Sequence, residues 1–318
     1  MTSSPEESIG PSVDSVVLQA TDNGVSWITL NRPEAMNAIT WDQRERLIRL
    51  LADASADPLI RAVVITGTGR AFCAGADLRG NTPTGSGAAA SAGSGAGAST
   101  GSAPGTSPDA SPGSGAAASP GTGPGSGRGE RIAGDVARTI RQGAQRLIAA
   151  VLDCDKPVIA AVNGTAAGIG AHLAFACDLV IAADTAKFIE VFVRRGLVPD
   201  GGGTYLLPRL IGPLRAKELM FFGDDLRADA AERLGLVNRV VPVRELEKAT
   251  REWADRLASG PTRALALTKQ LVNSSLESDR GSAFAAEAAA QEINMTTADA
   301  QEGIRGFIER RDPEFRGR

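Results

Sequence analysis

The sequence predicts an α/β protein with parallel strands at its centre and helices packed outside them. Three observations carry this. Short continuous apolar runs, Arg61 to Thr66 (RAVVIT) and Val158 to Val162 (VIAAV), read as strands buried on both faces. Apolar residues at helical spacing lie around them, at Leu47, Leu50 and Leu51 and again at Ile132, Val136, Ile140, Leu147, Ile148 and Val151. The glycine excess, 37 of 318 residues, is concentrated in one segment and leaves the rest with an ordinary composition. Strands alternating with helices in this way stack into a parallel core.

The elements follow in order. Residues 1–13 are polar and read as a frayed, disordered N-terminus. Val25 to Leu30 (VSWITL) is β-rich and ends at Asn31-Arg32-Pro33. Thr40 and Gln43 form a capping box for the helix that carries Leu47, Leu50 and Leu51. RAVVIT stops at Gly67-Thr68-Gly69. The 49 residues from Asn81 to Gly129 hold 14 Gly and 6 Pro, no large apolar residue, and only Asp109 and Arg128 as charges. Such a stretch has nothing to bury against its ordering entropy, so it is predicted to be a flexible low-complexity insertion.

Beyond it, a long helix marked by Ile132 to Val151 is stopped by Pro157. VIAAV follows, then a Gly-rich turn and helix from Asn163 to about Cys177, and a strand from Leu179 to Ala182. Residues 203–223 and 228–235 read as helices, Val237 to Val241 as a strand, and the last 75 residues as mostly helical. The expected organisation is a core of residues 14–80 and 130–255 interrupted by the 81–129 insertion. A C-terminal helical region over 256–318 would pack against a neighbouring subunit.

Composition excludes several classes. A net charge of −3 and a pI near 5.5 argue against a nucleic-acid partner. No run of 18 apolar residues is present, which argues against membrane insertion. The opening MTSSPEESIGPS is polar and acidic, unlike a secretory leader. Cys73, Cys154 and Cys177 form no CxxC pair and read as reduced thiols of a cytoplasmic protein. With a single His, no His/Cys metal cluster is expected.

Two segments are candidates for chemistry: Arg70 to Leu78 (RAFCAGADL) and Asn163 to Ala171 (NGTAAGIGA). Each reads as a strand, a Gly turn and a helix start. Small residues let a ligand approach the backbone, and N–H groups at a helix start stabilise a negative oxygen. Two such donors together would form an oxyanion hole. The alternative is that each is a tight turn needing Gly for packing. Gly168-x-Gly170 also suggests a dinucleotide site, with Glu190 about 20 residues on. The third Gly of that fingerprint is absent, because position 173 is Leu, and no phosphate-binding GKS/GKT loop exists.

Together with LNRPEAMNA (30–38), VVITGTGRAFCAGADL (63–78), AAVNGTAAGIGAHLAFACDLVIA (160–182) and GLVPDGGGTYLLPRLIG (196–212), the chain resembles the crotonase, or enoyl-CoA hydratase/isomerase, superfamily. Its pattern is most similar to the 1,2-epoxyphenylacetyl-CoA isomerases of that group. The resemblance implies a superhelix of ββα turns with a C-terminal helical trimerisation region, assembled as a homotrimer or dimer of trimers. It implies an acyl-CoA thioester substrate and no separate cofactor, coenzyme A being part of the substrate. Carried over by position, the Ala76 and Ile169 amides become the oxyanion-hole donors. Gly75 and Gly168 admit the thioester, and Met36, Ala38, Ala74, Asp77 and Leu78 line the coenzyme A channel.

The chain departs from the hydratase pattern at two places. Hydratases of the family carry two Glu, where this sequence has His172 and Phe192. Adding water needs an acid/base pair, and Phe supplies neither. Asp200, in LVPDGGG, stands where isomerases of the family place a catalytic Asp; its alternative reading is a turn-former before three Gly. Asp200 is therefore expected to shuttle the proton in a double-bond isomerisation, with His172 lining the site and Glu190 as a second carboxylate nearby. The alternatives are a hydratase using His172, Glu190 or Asp200 with a bound water, and an acyl-CoA-binding protein without catalysis. Arg194 and Arg195 are expected to face solvent or coenzyme A, and Cys73 to be unactivated.

Overall fold

The computed structural model describes residues 12–77 and 133–318. The expectations for residues 1–11, Leu78 and the 81–129 segment fall outside them. The elements in chain order are α1 (Val13–Val16), β1 (Val17–Asp22), β2 (Val25–Leu30), α2 (Trp41–Ala56), β3 (Ala62–Gly67) and β4 (Ala71–Cys73). Then come α3 (Asp135–Ile140), a π-helical segment (Arg141–Gln145), α4 (Arg146–Leu152), β5 (Val158–Val162), β6 (Thr165–Ala167) and α5 (Ile169–Ala176). The chain continues through β7 (Leu179–Ala183), β8 (Lys187–Ile189), α6 (Gly203–Phe222), β9 (Asp225–Arg227), α7 (Ala228–Arg233) and β10 (Arg239–Val241). It closes with α8 (Leu246–Ala258), α9 (Thr262–Ser275), α10 (Arg280–Asn294) and α11 (Ala298–Glu309).

The strands form two sheets. The larger runs β1-β2-β3-β5-β7-β10 and the smaller β4-β6-β8-β9. From β3 to β8 the chain places one strand in the large sheet, the next in the small sheet, then helix. β3/β4, β5/β6 and β7/β8 are successive turns of one ββα superhelix. Strands β2, β3, β5, β7 and β10 are parallel, and β1 joins as an antiparallel hairpin partner of β2. The apolar runs behave as expected of strands covered on both faces: every residue of VIAAV is buried. The capping box at α2 is present, with Gln43 N–H donating to Thr40 Oγ1 (3.3 Å) and Thr40 N–H to Gln43 Oε1 (3.0 Å).

Several elements differ from the sequence expectation. The stretch from Asn163 to Cys177 is not simply a turn and a helix: Thr165–Ala167 is a strand. Lys187–Ile189 and Asp225–Arg227 are likewise three-residue strands that no periodicity marks. Ala71–Cys73 is the strand read at the start of RAFCAGADL, but residues 74–77 after it form a bridge at Ala76 and no helix. The helix expected over 132–151 widens to a π turn at Arg141–Gln145. Residues 203–222 bend at Gly212, whose backbone is non-helical.

Candidate active site

Neighbouring parallel strands β4 and β6 deliver the two Gly-rich segments side by side, Ala71 pairing with Thr165 and Cys73 with Ala166. Their carboxyl ends then diverge from regular structure. After β4 the chain runs beside Ile39: Ile39 N–H donates to Gly75 O (2.8 Å) and Asp77 N–H to Ile39 O (2.9 Å). In a parallel bridge the flanking residues face the partner, so the N–H of the central residue, Ala76, points the other way. Among the described residues it meets no acceptor. After β6, Gly168 turns the chain into α5, and Ile169 is the first helical residue. Its N–H is one of the donors a helix start leaves unpaired, and it too has no acceptor among the described residues.

Glycine is required at this junction by geometry. Gly75 has φ +107°, and a Cβ there would stand 3.0 Å from Ala167 O. At Gly170 a Cβ would stand 2.2 Å from Cys73 O. The two strand ends are thus in direct backbone contact, and the two unpaired amides belong to adjoining turns.

The 36–38 stretch is held against the same place. Met36 and Asn37 both adopt left-handed backbone, φ 52° and 57°. Buried Asn37 fixes that turn by accepting from Arg32 N–H (2.8 Å) and donating to Thr68 O (2.9 Å) and Ala71 O (2.7 Å). Ala74 N–H donates to Met36 O (3.0 Å). Met36, Ala38, Ala74 and Gly75 are therefore brought together. The Asp77 carboxylate accepts from Arg32 (2.9 Å), so this side chain also braces the turn.

The side chains come from three further segments. His172, on α5, is wholly buried, and its Nε2 lies 3.0 and 3.2 Å from the two oxygens of buried Glu190. The Phe192 ring stacks on the imidazole at 5.4 Å and 13°. Asp200 begins the loop before α6, and the glycines after it let that loop press on its neighbours. A Cβ at Gly201 would lie 3.4 Å from Ala144 Cβ and Ile169 Cγ1 and 3.5 Å from His172 Nδ1. Burial raises the Asp200 carboxyl above its ordinary range, while the nearby His172 and Arg44 partly offset this.

Arg44 is a site residue that the sequence reading missed. It lies on α2 with its guanidinium carbon 5.3 Å from the Trp41 ring centroid and its Nε buried without a partner. Its Nη1 occupies the space that a Cβ on Gly143 would take, 2.1 Å from that position. The π turn carries Gly143 here, and such turns often mark functional positions. A glycine inside the helical stripe of 132–151 was the available signal.

Other candidates fall outside this cluster. Arg194 pairs with Asp225 (3.2 Å) at the surface. Cys73 is buried, and burial pushes its thiol up to about 12, so it is not an activated nucleophile. Among the described residues no group of three His, Cys, Asp or Glu is placed to hold a metal, and no helix is long and apolar enough to cross a membrane.

Two sheets wound from ββα turns, with unpaired amides and titratable side chains at the carboxyl ends of parallel strands, define an α/β enzyme scaffold with its site at those ends. The profile of the family described as enoyl-CoA hydratase/isomerase matches residues 20–96 and 126–318. A Rhodobacter capsulatus protein named "Probable enoyl-CoA hydratase" is 37% identical over 295 residues, covering 93% of this chain and 95% of its own. The 1,2-epoxyphenylacetyl-CoA isomerase of Escherichia coli is 33% identical over 304 residues, covering 95% and 98%. The crystal structure of an enoyl-CoA hydratase from Bacillus anthracis superposes with a TM-score of 0.75 at 30% identity, over 95% of this chain and 100% of that one. The chain belongs to the enoyl-CoA hydratase/isomerase family and has the crotonase fold. It is an enzyme of that family, so the reading as a binding protein without catalysis falls away.

Proposed function

We propose that the protein takes an acyl-CoA thioester and moves a carbon–carbon double bond along its acyl chain. The thioester oxygen sits against the Ala76 and Ile169 amides. Asp200 removes a proton from the carbon next to the thioester, and the electron pair moves onto the thioester oxygen as an enolate. Fixed amides stabilise that charge without reorganising, worth roughly 10²–10³ in rate per donor. Asp200, now protonated, returns the proton two carbons further along, and the double bond ends in conjugation with the thioester. One base serves both steps. Met36, Ala38, Ala74 and Gly75 flank the coenzyme A side. The acyl-CoA carries its own coenzyme A, so no separate cofactor takes part.

The observation that carries this reading is the position of Asp200. Its carboxyl is partly buried beside α5, and burial raises it toward the range a proton shuttle needs. Phe192 stands where hydratases of the family carry a Glu, and it fills that space with a ring. Asp200→Asn with trans-3-hexenoyl-CoA tests it. Turnover falls about 10²–10⁴-fold while acyl-CoA still binds. Normal turnover by that variant overturns the assignment. The His172–Glu190 pair favours a second reading, a hydratase that holds its water there. Rapid hydration of crotonyl-CoA that survives Asp200→Asn would establish it instead.

Assembly as a homotrimer or dimer of trimers is part of the proposal. The apolar residues that α10 and α11 leave exposed, Phe284, Ile293, Ile304, Phe307 and Ile308, support it.

A further inference from the structure

The isomerisation described above leaves one buried group without a task. His172 is fully enclosed, and its ring cannot turn. Glu190 holds Nε2 from one side, the Phe192 ring covers one face, and Gly203 stands so close that a Cβ there would lie 2.1 Å from Nε2. The other ring nitrogen, Nδ1, is buried with no hydrogen-bond partner. It lies 3.5 Å from the Cβ position of Gly201, one residue along from Asp200.

An imidazole nitrogen donates when it carries a hydrogen and accepts when it is bare, and the partner of one nitrogen biases the other. A buried ring nitrogen with no partner is costly, and Nδ1 calls for one.

We infer that Glu190 is a positioning residue: it holds His172 with a hydrogen on Nδ1, and that N–H meets the Asp200 carboxylate when Asp200 acts as the base. The inference rests on the proposed role of Asp200. A donor aimed at Asp200 favours its anion over its acid, and so sets the lowest pH at which the base is available. The charged groups facing Asp200 from the packed elements are His172 on α5 and Arg44 on α2. The π turn contributes Gly143 and Ala144, and Glu45, beside Arg44, is tied to Arg146 at 2.9 Å.

The chain contains one His, so an imidazole 15N spectrum of the full-length protein reports His172 alone. Nδ1 is expected to be protonated at pH 7 to 8. In Glu190→Ala the neutral ring shifts toward the Nε2–H tautomer. A bare Nδ1 in the wild type overturns the inference without touching the role of Asp200. The second arm is the pH profile of kcat/KM with trans-3-hexenoyl-CoA. His172→Phe removes the donor, and the acid limb moves up by about one pH unit, a tenfold loss on that limb. His172→Asn keeps a donor near the Nδ1 position and moves the limb back toward the wild type. An unmoved limb in His172→Phe, with Asp200→Asn inactive, overturns the inference alone. An active Asp200→Asn overturns the function on which it rests.

Discussion

Gly75→Ala isolates the backbone amide that the proposed mechanism needs most. Gly75 is held at φ +107°, where an L side chain is strained by about 1–3 kcal/mol. The added Cβ would stand 3.0 Å from Ala167 O, a few tenths of an ångström too close. The chain relieves this by turning the Gly75–Ala76 peptide or by easing β4 away from β6. Both movements displace the Ala76 N–H from its neighbour Ile169. Losing one oxyanion donor costs about 10²–10³ in kcat. The accompanying strain lowers Tm by about 2–12 °C, at about 2–4 °C per kcal/mol for a chain of this size. Gly235→Ala is the control, because Gly235 has φ +81° with nothing within 4 Å of its Cβ position. It carries the strain without the contact, so it lowers Tm and leaves kcat alone. Steady-state turnover of trans-3-hexenoyl-CoA and thermal melts by circular dichroism read both effects. A Gly75→Ala protein that melts lower but keeps kcat within about threefold of wild type refutes the amide's role.

Asp200→Asn has a stability signature as well as a rate loss. Burial raises the Asp200 carboxyl in the folded protein, so the folded chain binds more protons than the unfolded one between the two values. Stability therefore falls as pH rises through that window. Asp200→Asn should raise Tm at pH 8 and bring no gain below roughly pH 4, where the unfolded Asp is protonated too. An equal gain at both pH values would show that another cause is at work. Gly203→Ala should push the His172 ring out of its seat, costing about 1–3 kcal/mol or more and loosening the Glu190 contact; an unchanged melt argues against that packing. Cys73, Cys154 and Cys177 are all buried, and burial raises the Cys73 and Cys177 thiols. The native protein at pH 8 should react slowly with a thiol-specific disulfide reagent and give three equivalents in denaturant. Rapid labelling of any one would mean that its burial is wrong.

The large sheet was legible in the sequence because its strands are continuous apolar runs. Ala62 to Ile65 and Val158 to Val162 are buried on both faces, which leaves no room for polar residues there and gives a strong local signal. The small sheet was mostly not legible. β4, β6, β8 and β9 are three residues each, and Thr165–Ala167 is two-thirds alanine, which has little β preference. They are strands because the superhelix lays them beside one another, which is a tertiary cause that no window of sequence carries. The site divides in the same way. Gly75 and Gly168 were readable, since a turn that forces positive φ selects Gly. The His172–Glu190 contact links residues 18 apart in sequence across two strands, β7 and β8, and nothing in the spacing announces it. Arg44 sits in a run of charges, Asp42 to Arg46, that reads as a solvated helix face. It turns inward because Gly143 leaves space for a guanidinium.

This division bears on how the chemistry is specified. The two amides are fixed by main chain at the ends of β4 and β6, where the glycines leave little freedom. The titratable side chains come from α5, the segment after β8 and the loop before α6. A family can therefore keep its oxyanion donors while exchanging its proton carriers, since one side-chain change leaves the strand ends intact. Here the Phe192 ring stacks on His172, and the carboxylate two residues earlier, Glu190, engages the same imidazole. In the proposed mechanism the proton carrier is Asp200, whose loop can approach α5 because glycines follow it and one of them, Gly203, has no side chain to strike His172. The three glycines after Asp200 are thus part of the catalytic argument as well as of the turn. They allow the Asp200 loop to approach α5, the helix that carries both His172 and the Ile169 amide, while the Ala76 amide comes from the turn after β4.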